Sequence, residues 1–165
     1  MSNVFFISDL HLGHKAILQF APSRGGTSVE EHDEWLMEQW NHVVQKRDVV
    51  WVLGDVAFTK EALPILRYMK GQKHLILGNH DRYPLDEYLK YFAVIRPGLW
   101  RYKRMWLSHC PIHPAELRGL PNVHGHVHNA TLYDPRYFNA CVENVQGVPI
   151  LLQDLHRILG VEVLK

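Results

Sequence analysis

Cysteine is scarce in this chain. Cys110 and Cys141 are the only two among 165 residues, and they make no C-x-x-C pair. That argues against a disulfide framework and fits a reducing, cytosolic setting. Net charge is also missing: the formal balance is +1 with histidine neutral. A dedicated duplex-binding protein carries a basic patch or stripe, so the composition gives no electrostatic case for one. Local contacts to a phosphate remain open. Long hydrophobic runs are absent too. Val4 to Ile7 is too short for the core of a secretory signal and soon meets an acid, Asp9. No segment approaches membrane-spanning length, so the expected location is the cytoplasm. There is no internal repeat, linker or low-complexity tract.

What remains is a globular profile, with 47% hydrophobic and 21% charged residues. The length predicts one domain over 1–165, large enough to bury a core without staples. Val4 to Ser8 and Asp48 to Leu53 read as buried strands, and His74 to Leu77 as a third. A helix is expected from Val29 to Gln45, with Thr27/Glu30 or Ser28/Glu31 as a capping box. Further helices are predicted over Lys60 to Lys70, with Pro64 disturbing its start, and over Leu85 to Phe92. Residues 12–26 read as loop. The second half reads as strands in succession: Ala93 to Ile95, Leu99 to Tyr102, Met105 to Leu107, Asn122 to His124 and Tyr137 to Val142. A helix from Pro149 to Leu159 closes the pattern. The first half is β-α-β-α-β, which favours parallel strands. The second half suggests a more antiparallel sheet. Two stacked mixed sheets flanked by helices accommodate both halves.

Histidine is abundant, at twelve residues, and five of them fall between His109 and His128. Five short blocks follow apolar runs: Asp9-Leu10-His11, Gly54-Asp55, Gly78-Asn79-His80-Asp81, Ser108-His109 and Gly125-His126-Val127-His128. Carboxylate, imidazole and amide oxygen together suit hard and borderline divalent metals. Asp9 and His11 alternate, as do His126 and His128, so on extended backbone each pair shares a side. Asp55 offers two oxygens that can bridge two cations. His80, next to Asn79, points elsewhere and is free for proton transfer. In open α/β sheets, sites lie beyond the carboxyl ends of strands, where Asp9, Asp55 and Asn79 sit.

The order D-x-H, G-D, G-N-H-D/E, single H, G-H-x-H resembles the calcineurin-like metallophosphoesterase superfamily. The likeness spans residues 9–128 and is strongest to small bacterial and phage enzymes without a cap. Their D-x-H-x-x-H opening is matched by Asp9, His11 and His14, and their N-x-x-V-E ending by Asn139, Val142 and Glu143. The resemblance implies a four-layer α-β-β-α sandwich with two divalent metals, commonly Mn, with Fe, Ni or Zn also suited. It implies one metal on Asp9, His11, Asp55 and His128, and a second on Asp55, Asn79, His109 and His126, with Asp55 shared. A bridging hydroxide would attack phosphorus in line, and His80 would protonate the leaving oxygen. The implied substrate is a phosphodiester or phosphomonoester, small or nucleotide-like, in an open cleft, with diesters favoured. His14, Asn79, His80 and Arg24 are candidate substrate contacts.

The chain departs from the phosphoprotein phosphatase branch. That branch continues its second block as G-D-x-x-D-R-G, where this chain reads Gly54-Asp55-Val56-Ala57-Phe58-Thr59. For Asp81, a local structural role is weighed above orienting His80. His124 shares the expected face of His126 and is a candidate outer partner. Glu143 and Asn144 are candidate partners of a ligand histidine, and Cys110 is expected to point away from His109 and be buried. A Cys-rich structural zinc site is the competing metal reading. A catalytically dead binding scaffold and a larger-type nuclease are the competing functions.

Overall fold

The first strand forms because Val4–Ile7 (β1) is short, apolar and β-branched or aromatic at every position, which suits burial on both faces. The computed structural model describes residues 2–161. After β1 come a single helical turn Ile17–Phe20 (α1), the long helix Val29–Val43 (α2) and strand Val49–Val52 (β2). A 3-10 segment Lys60–Arg67 leads to Gln72–Ile76 (β3), Leu85–Leu89 (α3) and Val94–Arg96 (β4). Leu99–Tyr102 (β5), Met105–Ser108 (β6), Asn122–His124 (β7) and Tyr137–Asn139 (β8) follow. Val142–Val145 (α4), Ile150–Leu151 (β9) and Leu152–Ile158 (α5) are the last elements of the described residues.

Two mixed sheets result, ordered β4-β3-β2-β1-β9 and β5-β6-β7-β8. Alternation along β1 divides the core. Phe5 and Ile7 face a layer of Leu36, Trp40, Leu63 and Leu66 from α2 and the 3-10 segment. Phe6 turns the other way, with Trp51, Leu53 and Ile76, to meet Met105, Leu107 and Val123 of the second sheet. Ser28 caps α2, accepting from the Glu31 amide at 3.2 Å. The Glu31 carboxylate reaches back to Thr27 N at 2.8 Å, one residue beyond the expected box.

Several expected elements differ. β4 pairs parallel with β3 and so extends the first sheet rather than opening the second. The second sheet is antiparallel only at β5/β6, while β6/β7 and β7/β8 are parallel. The connections 109–121 and 125–136 are long enough for crossovers, which parallel neighbours require. Lys103 and Arg104 turn the β5/β6 hairpin with φ of 44° and 64°, as a tight primed turn demands. The expected helix 60–70 is a 3-10 segment with Pro64 inside it. The loop 12–26 contains α1. The strand expected to reach Val142 ends at Asn139, and α4 follows. The expected helix 149–159 begins three residues late, at Leu152, because Ile150 and Leu151 first pair antiparallel with Phe6 and Phe5.

Candidate metal centre

Past the carboxyl ends of β1 and β2, the backbone leaves extended geometry. Asp9, His11 and Asp55 take φ of 59°, 50° and 54°, and His126 and His128 take 72° and 49°. Left-handed backbone costs a non-glycine residue roughly 1–2 kcal/mol. Five such residues in one place mark the kind of strain that gathers at functional sites. The side chains of Asp9 and His11 do converge, but through paired left-handed turns rather than extended alternation. Their amides are tied across to the Gly54 and Asp55 carbonyls at 3.0 Å each.

Two groups of donors face each other across Asp55. In the first, His11 Nε2 lies 3.7 Å from Asp9 Oδ1 and 3.6 Å from Asp55 Oδ2. His128 Nε2 lies 3.8 Å from Asp9 Oδ1. In the second, His109 Nε2 lies 3.4 Å from Asp55 Oδ1 and 2.8 Å from Asn79 Oδ1. His126 Nδ1 lies 3.1 Å from the same Asn79 oxygen and 3.2 Å from His109 Nε2. Asp55 therefore turns one carboxylate oxygen to each group.

The donor set fits divalent cations. Among the described residues, Asp9 Oδ1 and His11 Nε2 are buried without a hydrogen-bond partner, which buried polar atoms rarely tolerate. Two ligands each about 2.1 Å from one ion lie roughly 3–3.5 Å apart, close to the spacings found here. The tautomers also agree. His109 Nδ1 lies 2.8 Å from the Leu53 carbonyl, which can only accept, so Nδ1 donates and Nε2 presents its lone pair inward. His128 Nδ1 donates to Glu143 Oε1 at 3.0 Å, leaving its Nε2 facing Asp9. Burial pushes the Asp9 carboxyl up. The His11 contact, the electrostatic influence of the His109 ring, Ser8 and the His126 amide outweigh it and hold the group well below the usual carboxylate range. A buried anion of this kind calls for a cation.

A scaffold of further residues supports the first group. Glu143 accepts from Arg24 Nε at 2.9 Å and lies 2.8 Å from its Nη2. Burial alone would raise the Glu143 carboxyl, but His128 and Arg24 lower it. The bond to Glu143 raises His128. Arg24 also donates to the Asp9 carbonyl at 2.7 Å and the Leu10 carbonyl at 3.1 Å. Its side chain is fully buried, so the expected substrate contact at Arg24 is corrected: the guanidinium shapes the loop that carries the ligands. Cys141 Sγ donates to Asp9 Oδ2 at 3.2 Å. Nothing in the sequence around Arg24 or Cys141 signals either role, because both arise from contacts more than ten residues distant along the chain.

Asp81 accepts from the amides of Asp55, Val56 and Gly78 at 2.9, 2.9 and 2.8 Å. It staples the ends of β2 and β3, and burial is the main cause of its raised pKa. Two glycines are required by close approach. A Cβ on Gly54, at φ of 97°, would lie 2.5 Å from His109 Nδ1, and one on Gly125 would collide with Ser8 and Asp9.

His80 stands apart from both groups. Its amide donates to Asp55 Oδ1 at 2.9 Å, while its ring Nε2 lies 4.0 Å from Asp55 Oδ2, with the side chain about one-third exposed at 36%. His14 packs flat on Phe58 with centroids 4.0 Å apart. Burial first, then nearby cationic groups, lower its pKa to about 4. His124, a candidate outer partner, instead lies 2.9 Å from the Gly125 carbonyl through Nδ1. Cys110 is exposed, not buried, and its sulfur lies within 4.8 Å of the His109 and His126 ring nitrogens. It was expected to alternate away on an extended strand, but β6 ends at Ser108 and the chain bends there.

Such an arrangement defines a metal-centred site of hydrolytic type. The family model described as calcineurin-like phosphoesterase matches residues 2–158. The chain belongs to that family and is a metal-dependent phosphoester hydrolase, whose family implies a dinuclear site. It is 35% identical to the Gene 66 protein of Mycobacterium phage D29, over 82% of this chain and 85% of that protein. A protein of unknown function from Aquifex aeolicus superposes with a TM-score of 0.77 at 24% identity, covering 96% of this chain and all of that one. The Pseudomonas putida nuclease MPE superposes with a TM-score of 0.51 at 22% identity, covering 76% of this chain and 60% of that one.

Proposed function

We propose that this protein hydrolyses phosphodiesters of small or nucleotide-like substrates with two divalent cations, Mn²⁺ foremost, in the cytoplasm. The observation that carries the reading is Asp55, whose two oxygens face two separate donor groups at 3.6 and 3.4 Å. Asp9, His11, Asp55 and His128 would hold one cation, and Asp55, Asn79, His109 and His126 the other. Bound there, the cations supply charge that acidifies water and polarises phosphoryl oxygens.

The chain's own residues do the positioning, which dominates phosphoryl-transfer catalysis. Asp55 keeps the two groups at a set spacing, and Asp81 locks the backbone that carries it. The Arg24–Glu143 pair aims His128. His80, tethered through its amide yet free in its ring, donates a proton to the leaving oxygen. Asn79 and His126 are exposed, so the cleft opens directly to solvent. That favours accessible esters over an enclosed substrate.

The test uses metal-stripped protein resupplied with Mn²⁺, assayed on a chromogenic phosphodiester and a chromogenic monoester beside Asp55→Asn. The diester should turn over faster, and Asp55→Asn should be inactive on both. Turnover of the monoester alone would refute the diester preference. A wild type inert with every divalent metal would refute the hydrolysis itself.

A further inference from the structure

Aromatic rings stand beside the donor groups described above, next to His11 and His80. Phe58 is 45% exposed and Phe20 73% exposed. Between them stands His14, parallel to Phe58 within 8° at a centroid distance of 4.0 Å and 6.1 Å from Phe20. Phe58 is also 5.9 Å from His80, and His14 is 5.5 Å from His11. Single exposed apolar side chains are ordinary on a protein surface. These differ in forming one continuous row that starts at a ligand histidine and passes the proton donor.

The backbone that carries Phe58 is tied down. The Phe58 amide donates to the Leu12 carbonyl at 2.8 Å, and its carbonyl accepts from the Tyr83 hydroxyl at 3.1 Å. A parallel bridge between Leu12 and Ala57 anchors the preceding residue. His14 stacks on one face of the Phe58 ring, so a planar ligand would cover the other, on a segment whose backbone is already ordered.

We propose that Phe58, Phe20 and His14 form a stacking platform for a nucleobase on the leaving-group side of the cleft. This rests on the phosphoester reading above. The side follows from Phe58 being next to His80, the group assigned to the leaving oxygen. The Phe58 and Phe20 side chains have no hydrogen-bonding atom, so these two rings take any base by its face and read none by its edge. The substrate class is therefore a nucleoside phosphoester without base specificity, purines gaining only from their larger area.

The experiment compares two phosphonates in which a P–C bond replaces the scissile P–O bond, those of adenosine monophosphate and of ribose phosphate. Both are titrated calorimetrically into Mn²⁺-loaded protein, so turnover plays no part. The adenosine compound should bind about tenfold more tightly, the scale of one base stacked on an aromatic ring. In Phe20→Leu/Phe58→Leu the ratio should fall towards one, with the melting temperature reporting that the fold persists. Phe58→Trp should keep the ratio, as should Tyr68→Leu, which removes a ring 72% exposed outside this row. Equal binding of the two compounds to the wild type overturns the platform alone, as does an undiminished ratio in the folded double variant. If neither compound binds, the platform is overturned, and the phosphoester reading is judged separately by the chromogenic diester assay above.

Discussion

The two donor groups that share Asp55 are built differently. In the inner group Asp9 and His11 are buried at 0 and 4% exposure, as is the shared Asp55 at 2%, and only the His128 side chain is partly exposed. Arg24, Glu143, Cys141 and Asp81 brace them from behind. Across Asp55, Asn79 and His126 are exposed, and only His109 is buried. The inner group therefore pays its ordering and strain costs during folding. The outer group leaves more of them to be met when a cation binds. The inner position should accordingly hold its cation more tightly, and the outer one should exchange and meet substrate.

The sharpest way to break the comparison is to remove what both groups share. Asp55→Asn should cut turnover by at least about a thousandfold, since several kcal/mol of charge stabilisation are lost and each 1.36 kcal/mol is tenfold. Metal analysis should show both positions depleted, and loss of one alone would deny the shared role. Asp81→Ala attacks the inner frame without touching a ligand. Leaving three backbone amides unpaired should cost about 3 kcal/mol or more of stability, read by denaturant unfolding. His80→Ala leaves both groups intact. It should keep the metal content yet slow an ester with a poor leaving group by roughly a hundredfold. An ester that leaves as nitrophenolate needs no protonation and should be slowed much less; equal slowing of both would remove His80 as the acid. Glu143→Gln, the mildest, should weaken the inner cation about tenfold and spare the outer one. Competition with a metal-sensitive dye would measure that difference.

The same contrast explains what could be read from the sequence. The five ligand blocks were legible because each follows an apolar strand, and strand ends converge wherever parallel strands share a sheet. The alternating first-half strands also translate directly into β1, β2 and β3. The left-handed turns at Asp9 and His11 were not legible, since the modest tolerance of Asp and His for positive φ does not specify a turn; the Gly54 and Asp55 carbonyls capture those amides. Arg24 read as a loop cation because its partners, Glu143 and the Asp9 carbonyl, are joined to it only by the fold. β9 was hidden inside a helical pattern, because pairing with β1 decides the state of Ile150 and Leu151. The braced inner group is thus the part most dependent on tertiary contacts, although its candidate ligands stand in the plainest sequence blocks.

The most direct test of two unequal cation positions sharing Asp55 is a calorimetric titration of Mn²⁺ into metal-stripped protein, repeated on His11→Ala and His126→Ala. Two binding events per chain are predicted, separated by about tenfold or more in affinity. The tighter event should be lost in His11→Ala and the weaker one in His126→Ala. A single event in the wild type, or loss of the tighter event on removing His126, would contradict the account.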